Sequence, residues 1–223
     1  SKEEKEKYNL LLEMIIPIVK TFPSEAGAES VNNGLQVLGG YGFCSDFVLQ
    51  QYYRDIRIFA LYEGTTGIQS QDLLGRKVTM QNGKGLELLA AEIMQTIHLA
   101  AKDADLKKYA TILGEKLNLS QKILGHLLPF GAKGNHERYL ADANLFMEYM
   151  SIVVLGWLWL EMAVDAKKTV LNKDKKYSEI FYESKIHTMK FYFKYEVPKT
   201  NSLAESLMSN EVLTIKNGKE YIL

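Results

Sequence analysis

Apolar residues recur at helical spacing along most of the chain. Residues 3–21 carry Tyr8, Leu11, Leu12, Ile15, Ile16 and Val19 as one such set, with Pro17 as a kink point. FPSEAGAES at 22–30 reads as a break, with Ser24 and Glu25 capping a second helix over 25–38 that Gly39-Gly40 ends. YGFCSDF is a loop. FVLQQYYRDIRIFALYEG at 47–64 reads as a short helix running into an irregular segment. Its β-branched part, 56–62, is strand-like in composition but has no partner strand nearby. Ile68, Leu73, Leu74 and Val78 predict a helix over 65–78 opened by Thr65-Thr66, and QNGKG at 81–85 breaks it.

Two amphipathic helices follow at 86–101 and 104–128, then a loop, LPFGAKGN. A long helix spans about 136–171. Its uncharged run, Tyr149 to Leu160, is 12 residues, short of the ~20 that a membrane span needs. Glu148, Glu161 and Asp165 bracket it, so a buried central helix is expected and membrane contact is not. NKDKK is a turn, 178–195 a helix with aromatic and basic faces, and 202–209 a short helix. EVLTIKNGKEYIL closes the chain with a small β-hairpin about Asn217-Gly218. The expected fold is all-α: a helical bundle over 1–80 and a second over 81–223, ending in that hairpin.

Lys+Arg and Asp+Glu are 27 each, so no bulk charge points to nucleic acid or to an anionic membrane. The single cysteine, Cys44, precludes an intrachain disulfide and fits a reducing, cytoplasmic setting. The charged opening SKEEKEKYNLLLEM lacks an initiator Met and a signal or transit pattern. The expectation is a stretch of a longer polypeptide.

Glu63 stands between the apolar run Ile58, Phe59, Leu61, Tyr62 and the turn Gly64-Thr65-Thr66-Gly67. A carboxylate removes a proton alpha to a carbonyl when desolvation raises its pKa and its oxygen reaches the carbon. The apolar flank would desolvate Glu63, and Gly64 would clear a path. From these residues alone an N-cap or first-turn carboxylate facing a helix dipole is the plainer reading. Gly39-Gly40 is either a plain C-cap or a bare loop open to a cofactor, and no GxGxxG follows a strand. Arg54, Asp55 and Arg57 read as a structural ion pair, Cys44 as a core thiol, and His126 with His136 has no zinc spacing. No metal site is expected.

LQVLGGYGF followed by YYRDIRIFALYEGTTGIQSQDLLGRKV resembles the C-terminal helical domain of flavin-dependent acyl-CoA dehydrogenases, over about residues 10–78. The shared features, in order, are Q-x-x-G-G-x-G, R-D and Y-E-G-T. GWLWLEMAVDAKK and FYESKIHTMKFYFKYEVPKT resemble the extra C-terminal helical domain of the longer bacterial-type members, over much of 86–200. The resemblance implies that Glu63 is the base for the alpha proton of an acyl-CoA thioester. A hydride leaves the beta carbon for FAD, and a trans-2-enoyl-CoA results. It implies that Tyr62 and Gly64 line the thioester site, and that the Glu63 N–H donates to the thioester carbonyl. Gln36, Gly39 and Gly40 approach the adenosine end of FAD bound mainly by a neighbouring subunit, and Thr65 and Gln69 are further flavin contacts. Gly67 stands where many shorter members have a larger polar residue. The implied partners are an acyl-CoA, an electron-transferring flavoprotein and further copies of the chain. The 223 residues alone are expected to bind no FAD tightly and to be inactive. Two alternatives stay open: a sulfur-containing acyl-CoA as substrate, and a helical module for oligomerisation or membrane-surface contact in a homologue that has lost catalysis.

Overall fold

The computed structural model describes residues 2–171 and 176–215, and every regular element in them is helical. The chain divides into two compact units, Ser1–Gly85 and Leu86–Leu223.

The spine of the first unit is α1 (Lys2–Leu38). It runs without interruption through Pro17 and Pro23, where the sequence predicts a kink and a break. An interior proline removes a helix hydrogen bond and costs about 3 kcal/mol, so the continuity is imposed by packing. Pro17 is itself buried in the stripe Leu10, Met14, Pro17, Ile18, Thr21. Ser24 does not start a new helix; its hydroxyl donates back to the Lys20 carbonyl at 2.6 Å. The predicted apolar face is also corrected, because Tyr8, Leu12, Ile16 and Val19 are exposed. The helix is apolar on two sides, and periodicity does not say which side a neighbour covers.

Everything else in the first unit packs on α1. A 3-10 turn at Gly39–Phe43 leads to α2 (Leu49–Asp55), and a second, Ile56–Ala60, takes the strand-like stretch. Then α3 (Thr66–Gln71) continues into the π-helical turn Asp72–Lys77. The breaker QNGKG does its work through Gln81 and Asn82, both left-handed at φ 48° and 57°.

The second unit is built from α4 (Lys84–Ala100), α5 (Lys107–Ala132), α6 (His136–Leu140), α7 (Ala143–Leu171), α8 (Glu179–Tyr195) and α9 (Thr200–Leu207). Helix α5 extends past Pro129 to Ala132, where a loop is predicted. The predicted single helix over 136–171 is interrupted at 141–142. The short α6 thereby brings Tyr139 onto Gly131, where an added Cβ would lie 3.0 Å from the ring, and sets Arg138 over Phe130 at 4.7 Å.

Helix α7 is central, with α5, α8 and α9 packed on it. The stretch His136–Val170 is long and apolar enough to cross a membrane, yet 56% of its most apolar window is buried inside the protein. Side chains of Leu113, Phe193 and Val197 close on Gly156. Polar groups on core-facing aromatics find partners: half-buried Trp157 donates its Nε1–H to Thr96 Oγ1 at 2.9 Å, and buried Tyr149 its OH to the Lys116 carbonyl at 2.6 Å. Tyr109 and Phe193 meet edge-on at 5.3 Å. Each such ring contributes about 1.5–3 kcal/mol by leaving water. The predicted turn NKDKK and the hairpin about Asn217-Gly218 fall mainly or wholly outside the described residues.

Candidate active site

The peptide around Glu63 is set by what surrounds it in sequence. The 3-10 turn Ile56–Ala60 buries only Ala60, which anchors the segment to the unit. The chain then leaves the helix, and Thr65, in extended conformation at φ −63° and ψ 164°, takes the N-cap position of α3 without a side-chain capping bond. The reversal falls on Glu63 and Gly64, with φ 55° and 91°. A left-handed conformation is free to glycine and costs a residue with a Cβ about 1–2 kcal/mol. Something must hold Glu63 there.

Two side chains do, one on the Glu63 carbonyl and one on the Gly64 carbonyl. Gln69 Nε2, from the first turns of α3, donates to the Glu63 carbonyl at 2.9 Å. Lys20 Nζ, from α1, donates to the Gly64 carbonyl at 2.5 Å. Helix α1 grips the same loop twice more. Ser24 Oγ shares the proton it donates to the Lys20 carbonyl with the Phe59 carbonyl, 3.3 Å away, and Glu25 accepts from the Thr66 hydroxyl and pairs with Arg57 at 3.7 Å. A Cβ on Gly64 would lie 3.1 Å from Gln69 Nε2, so the bare residue serves the bond as well as the turn.

Beside this loop lies an open cleft of about 400 Å³, lined by Val19, Lys20, Pro23, Ser24, Ile56, Phe59, Tyr62 and Glu63. Its walls are apolar apart from the carboxylate, the ammonium and the hydroxyls of Ser24 and Tyr62. Such a composition suits an apolar ligand with one polar group to orient. Glu63 is two residues ahead of the α3 cap, which removes the reading of it as the capping residue itself. The expected desolvation is absent within this chain: Ile58, Phe59, Leu61 and Tyr62 are all about half exposed, because they turn away from the buried Ala60.

The other predicted residues lie elsewhere. Gln36 is exposed in the last turn of α1, and Gly39 and Gly40 follow in the 3-10 turn. From Lys20 to Gln36 is 16 residues of helix, about 24 Å at ~1.5 Å per residue. The structure therefore brings Tyr62, Glu63, Gly64, Thr65 and Gln69 together and holds the glycine turn well apart. Nothing comes within 4 Å of a Cβ built on Gly39 or Gly40, and Gly39 is left-handed at φ 58°. This is bare backbone open to an approaching group. Gly42 is different: a Cβ there would strike the Leu35 carbonyl at 2.4 Å, so this glycine is structural. Cys44 is half-exposed rather than a core thiol. Among the described residues no cluster of three or more His, Cys, Asp or Glu could hold a metal.

The sequence reading missed Lys20 and Ser24. The one signal available was spacing: Lys20 follows Pro17 by three residues, on the edge of the buried stripe.

Comparison with known proteins finds two family matches. Residues 2–78 match the family described as acyl-CoA dehydrogenase, C-terminal domain, and residues 89–216 match acetyl-CoA dehydrogenase C-terminal like. Among curated relatives, the chain is 28% identical over 211 residues to the broad-specificity linear acyl-CoA dehydrogenase FadE5 of Mycobacterium tuberculosis, covering 91% of this chain and 34% of that protein. It is 34% identical over 148 residues to the 3-methylmercaptopropionyl-CoA dehydrogenase of Ruegeria pomeroyi, covering 66% of this chain and 25% of that protein. It is 34% identical over 58 residues to the caffeyl-CoA reductase-Etf complex subunit CarC of Acetobacterium woodii, covering 26% and 15%. The chain thus spans about a third of the first relative's length.

Proposed function

The chain belongs to the acyl-CoA dehydrogenase family, and from that premise we propose that it is the C-terminal part of an enzyme that dehydrogenates an acyl-CoA thioester to a trans-2-enoyl-CoA, with Glu63 as the base. The observation that carries this reading is the turn at Glu63. A carboxylate on a strained, doubly pinned backbone opens onto an apolar cleft. Strain of this kind persists where a function needs the geometry. Glu63 takes the alpha proton, and its own N–H, beside the side-chain-free Gly64, donates to the thioester carbonyl as enolate character develops. Tyr62 lines the thioester end. Because its apolar neighbours are open in this chain, the desolvation that poises Glu63 comes from bound acyl chain and from polypeptide beyond these residues.

The bare backbone at Gly39 and Gly40, with the exposed Gln36 amide, fits one end of an FAD, and Thr65 and Gln69 fit a different part of a second FAD. FAD, when bound, supplies the acceptor for the hydride leaving the beta carbon. The spacing of about 24 Å along α1 favours the glycine turn and the Glu63 loop serving different flavins, hence a homo-oligomer. The Etf complex in a relative's name favours an electron-transferring flavoprotein as redox partner. On this reading the 223 residues alone hold no tightly bound flavin.

The test uses the full-length polypeptide with bound flavin, mixed anaerobically with a panel of acyl-CoAs that includes a thioether acyl group. The native enzyme is expected to bleach, and Glu63→Gln to stay yellow while still binding acyl-CoA. Equal bleaching by both removes Glu63 as the base. No bleaching of the native enzyme by any acyl-CoA removes the dehydrogenase reading.

A further inference from the structure

We infer that Lys20 is the positioning residue for Glu63: its ammonium, bonded to the Gly64 carbonyl, fixes the turn that aims the carboxylate into the cleft. The inference rests on the proposed role of Glu63, and its test separates the two.

Four observations converge. The bond from Lys20 Nζ to the Gly64 carbonyl is short, 2.5 Å, and charge-assisted. It spans 44 residues of sequence, so it ties the loop to the spine of the unit and not to its own neighbours. It acts on the residue next to Glu63, whose left-handed φ of 55° is the strained position of the loop. Lys20 and Glu63 also line the same cleft, so the clamp lies at the place where a substrate would enter.

The other clamps cannot replace it. Gln69 holds the Glu63 carbonyl from α3, six residues on, and leaves the Gly64 carbonyl unheld. Ser24 and Glu25 hold Phe59, Arg57 and Thr66, which bracket the turn but leave its centre free to rotate. Without Lys20 the Glu63–Gly64 peptide units lose their direct hydrogen bond to α1, and Glu63 can relax toward right-handed values. The loop would stay attached while the carboxylate lost its aim. A misplacement of about 1 Å in a reacting group is worth roughly a hundredfold in rate.

The experiment uses the full-length flavin-loaded polypeptide with Lys20→Met, Lys20→Arg and Lys20→Gln beside Glu63→Gln. Three quantities are read: amide hydrogen exchange of the peptide covering 61–66, dissociation constants for acyl-CoA, and the rate of alpha-deuterium loss from labelled acyl-CoA to water alongside flavin bleaching. For Lys20→Met the expectation is faster exchange at 61–66, affinity within about twofold of native, and alpha-deuterium loss slowed roughly tenfold to a hundredfold. Lys20→Arg, which keeps the charged donor, should recover to within about threefold. If Lys20→Met does not assemble with flavin, Lys20→Gln stands in with the same thresholds. Native rates and native exchange in Lys20→Met overturn the inference. So does a loss confined to affinity, or a Lys20→Arg variant as slow as Lys20→Met. Native alpha-deuterium loss in Glu63→Gln overturns the proposed function instead, whatever Lys20 does.

Discussion

Lys77 and Glu13 form an asymmetric ion pair. The ammonium is closed to solvent, at 2% exposure, while the carboxylate it bonds is 47% exposed on α1. The bond and the charge of Lys77 hold the Glu13 carboxyl below its ordinary range. The nearest other carboxylate is Asp72, at 4.0 Å.

Breaking a pair around a buried charge costs more when the partner goes than when the charge goes. Glu13→Gln should therefore lower the melting temperature of the protein more than Lys77→Met, which fills the same slot with an apolar chain of similar shape. Thermal melts of the two variants decide it. The reverse order would mean that Lys77 is not held in the interior by Glu13.

Two of the three glycines in the turn after α1, Gly40 and Gly42, make opposite demands. Gly42→Ala should destabilise the first unit by about 1–3 kcal/mol, the usual cost of overpacking, because the new Cβ meets the Leu35 carbonyl at 2.4 Å. Gly40→Ala meets nothing within 4 Å and should leave stability unchanged. If the turn takes part in flavin binding, Gly40→Ala should still lower the flavin content of the full-length protein. Denaturation midpoints and flavin-to-protein absorbance ratios test both halves.

In the second unit Lys167 bridges Asp103 at 2.8 Å and Asp105 at 2.6 Å, which fastens α7 to the start of α5. The bond from Lys167, helped by the backbone N–H groups of Asp105 and Leu106, holds the Asp103 carboxyl below its ordinary value of 3.8. A depressed carboxylate contributes fully above the unfolded value, and the contribution is lost as pH falls through the lowered one. Asp103→Asn should cost about 1 kcal/mol or less near neutrality, since the pair is partly exposed. It should also flatten the acid limb of the stability curve below about pH 4. Urea midpoints across that range provide the check, and parallel acid limbs for native and variant would refute it.

Helices α4 and α5 of the second unit were legible because each has one apolar stripe. Leu113, Leu117 and Leu127 in α5 fall where periodicity puts them, and all are buried. Helix α1 was not legible in that way. Two prolines argued for breaks that packing overrode, and two apolar stripes left its inward face undetermined. Glu63 was visible through its neighbours in sequence. Lys20 was not, because the contact that gives it meaning spans 44 residues and a lysine in a helix ordinarily reads as solvated. Lys77 was hidden for the same reason, although its place between Leu73, Leu74 and Val78 marks it as an inward position in hindsight.

The unbroken course of α1 through Pro17 and Pro23 makes this helix a ruler. Lys20, at its middle, fixes the Glu63 loop, and Gln36, in its last turn 16 positions on, leads into the glycine turn. Inserting a single residue in that interval would swing the glycine turn by about 100° around the axis and push it ~1.5 Å along. No local adjustment at either end restores that phase. The length of the interval is thus as tightly constrained as the identity of the residues it separates.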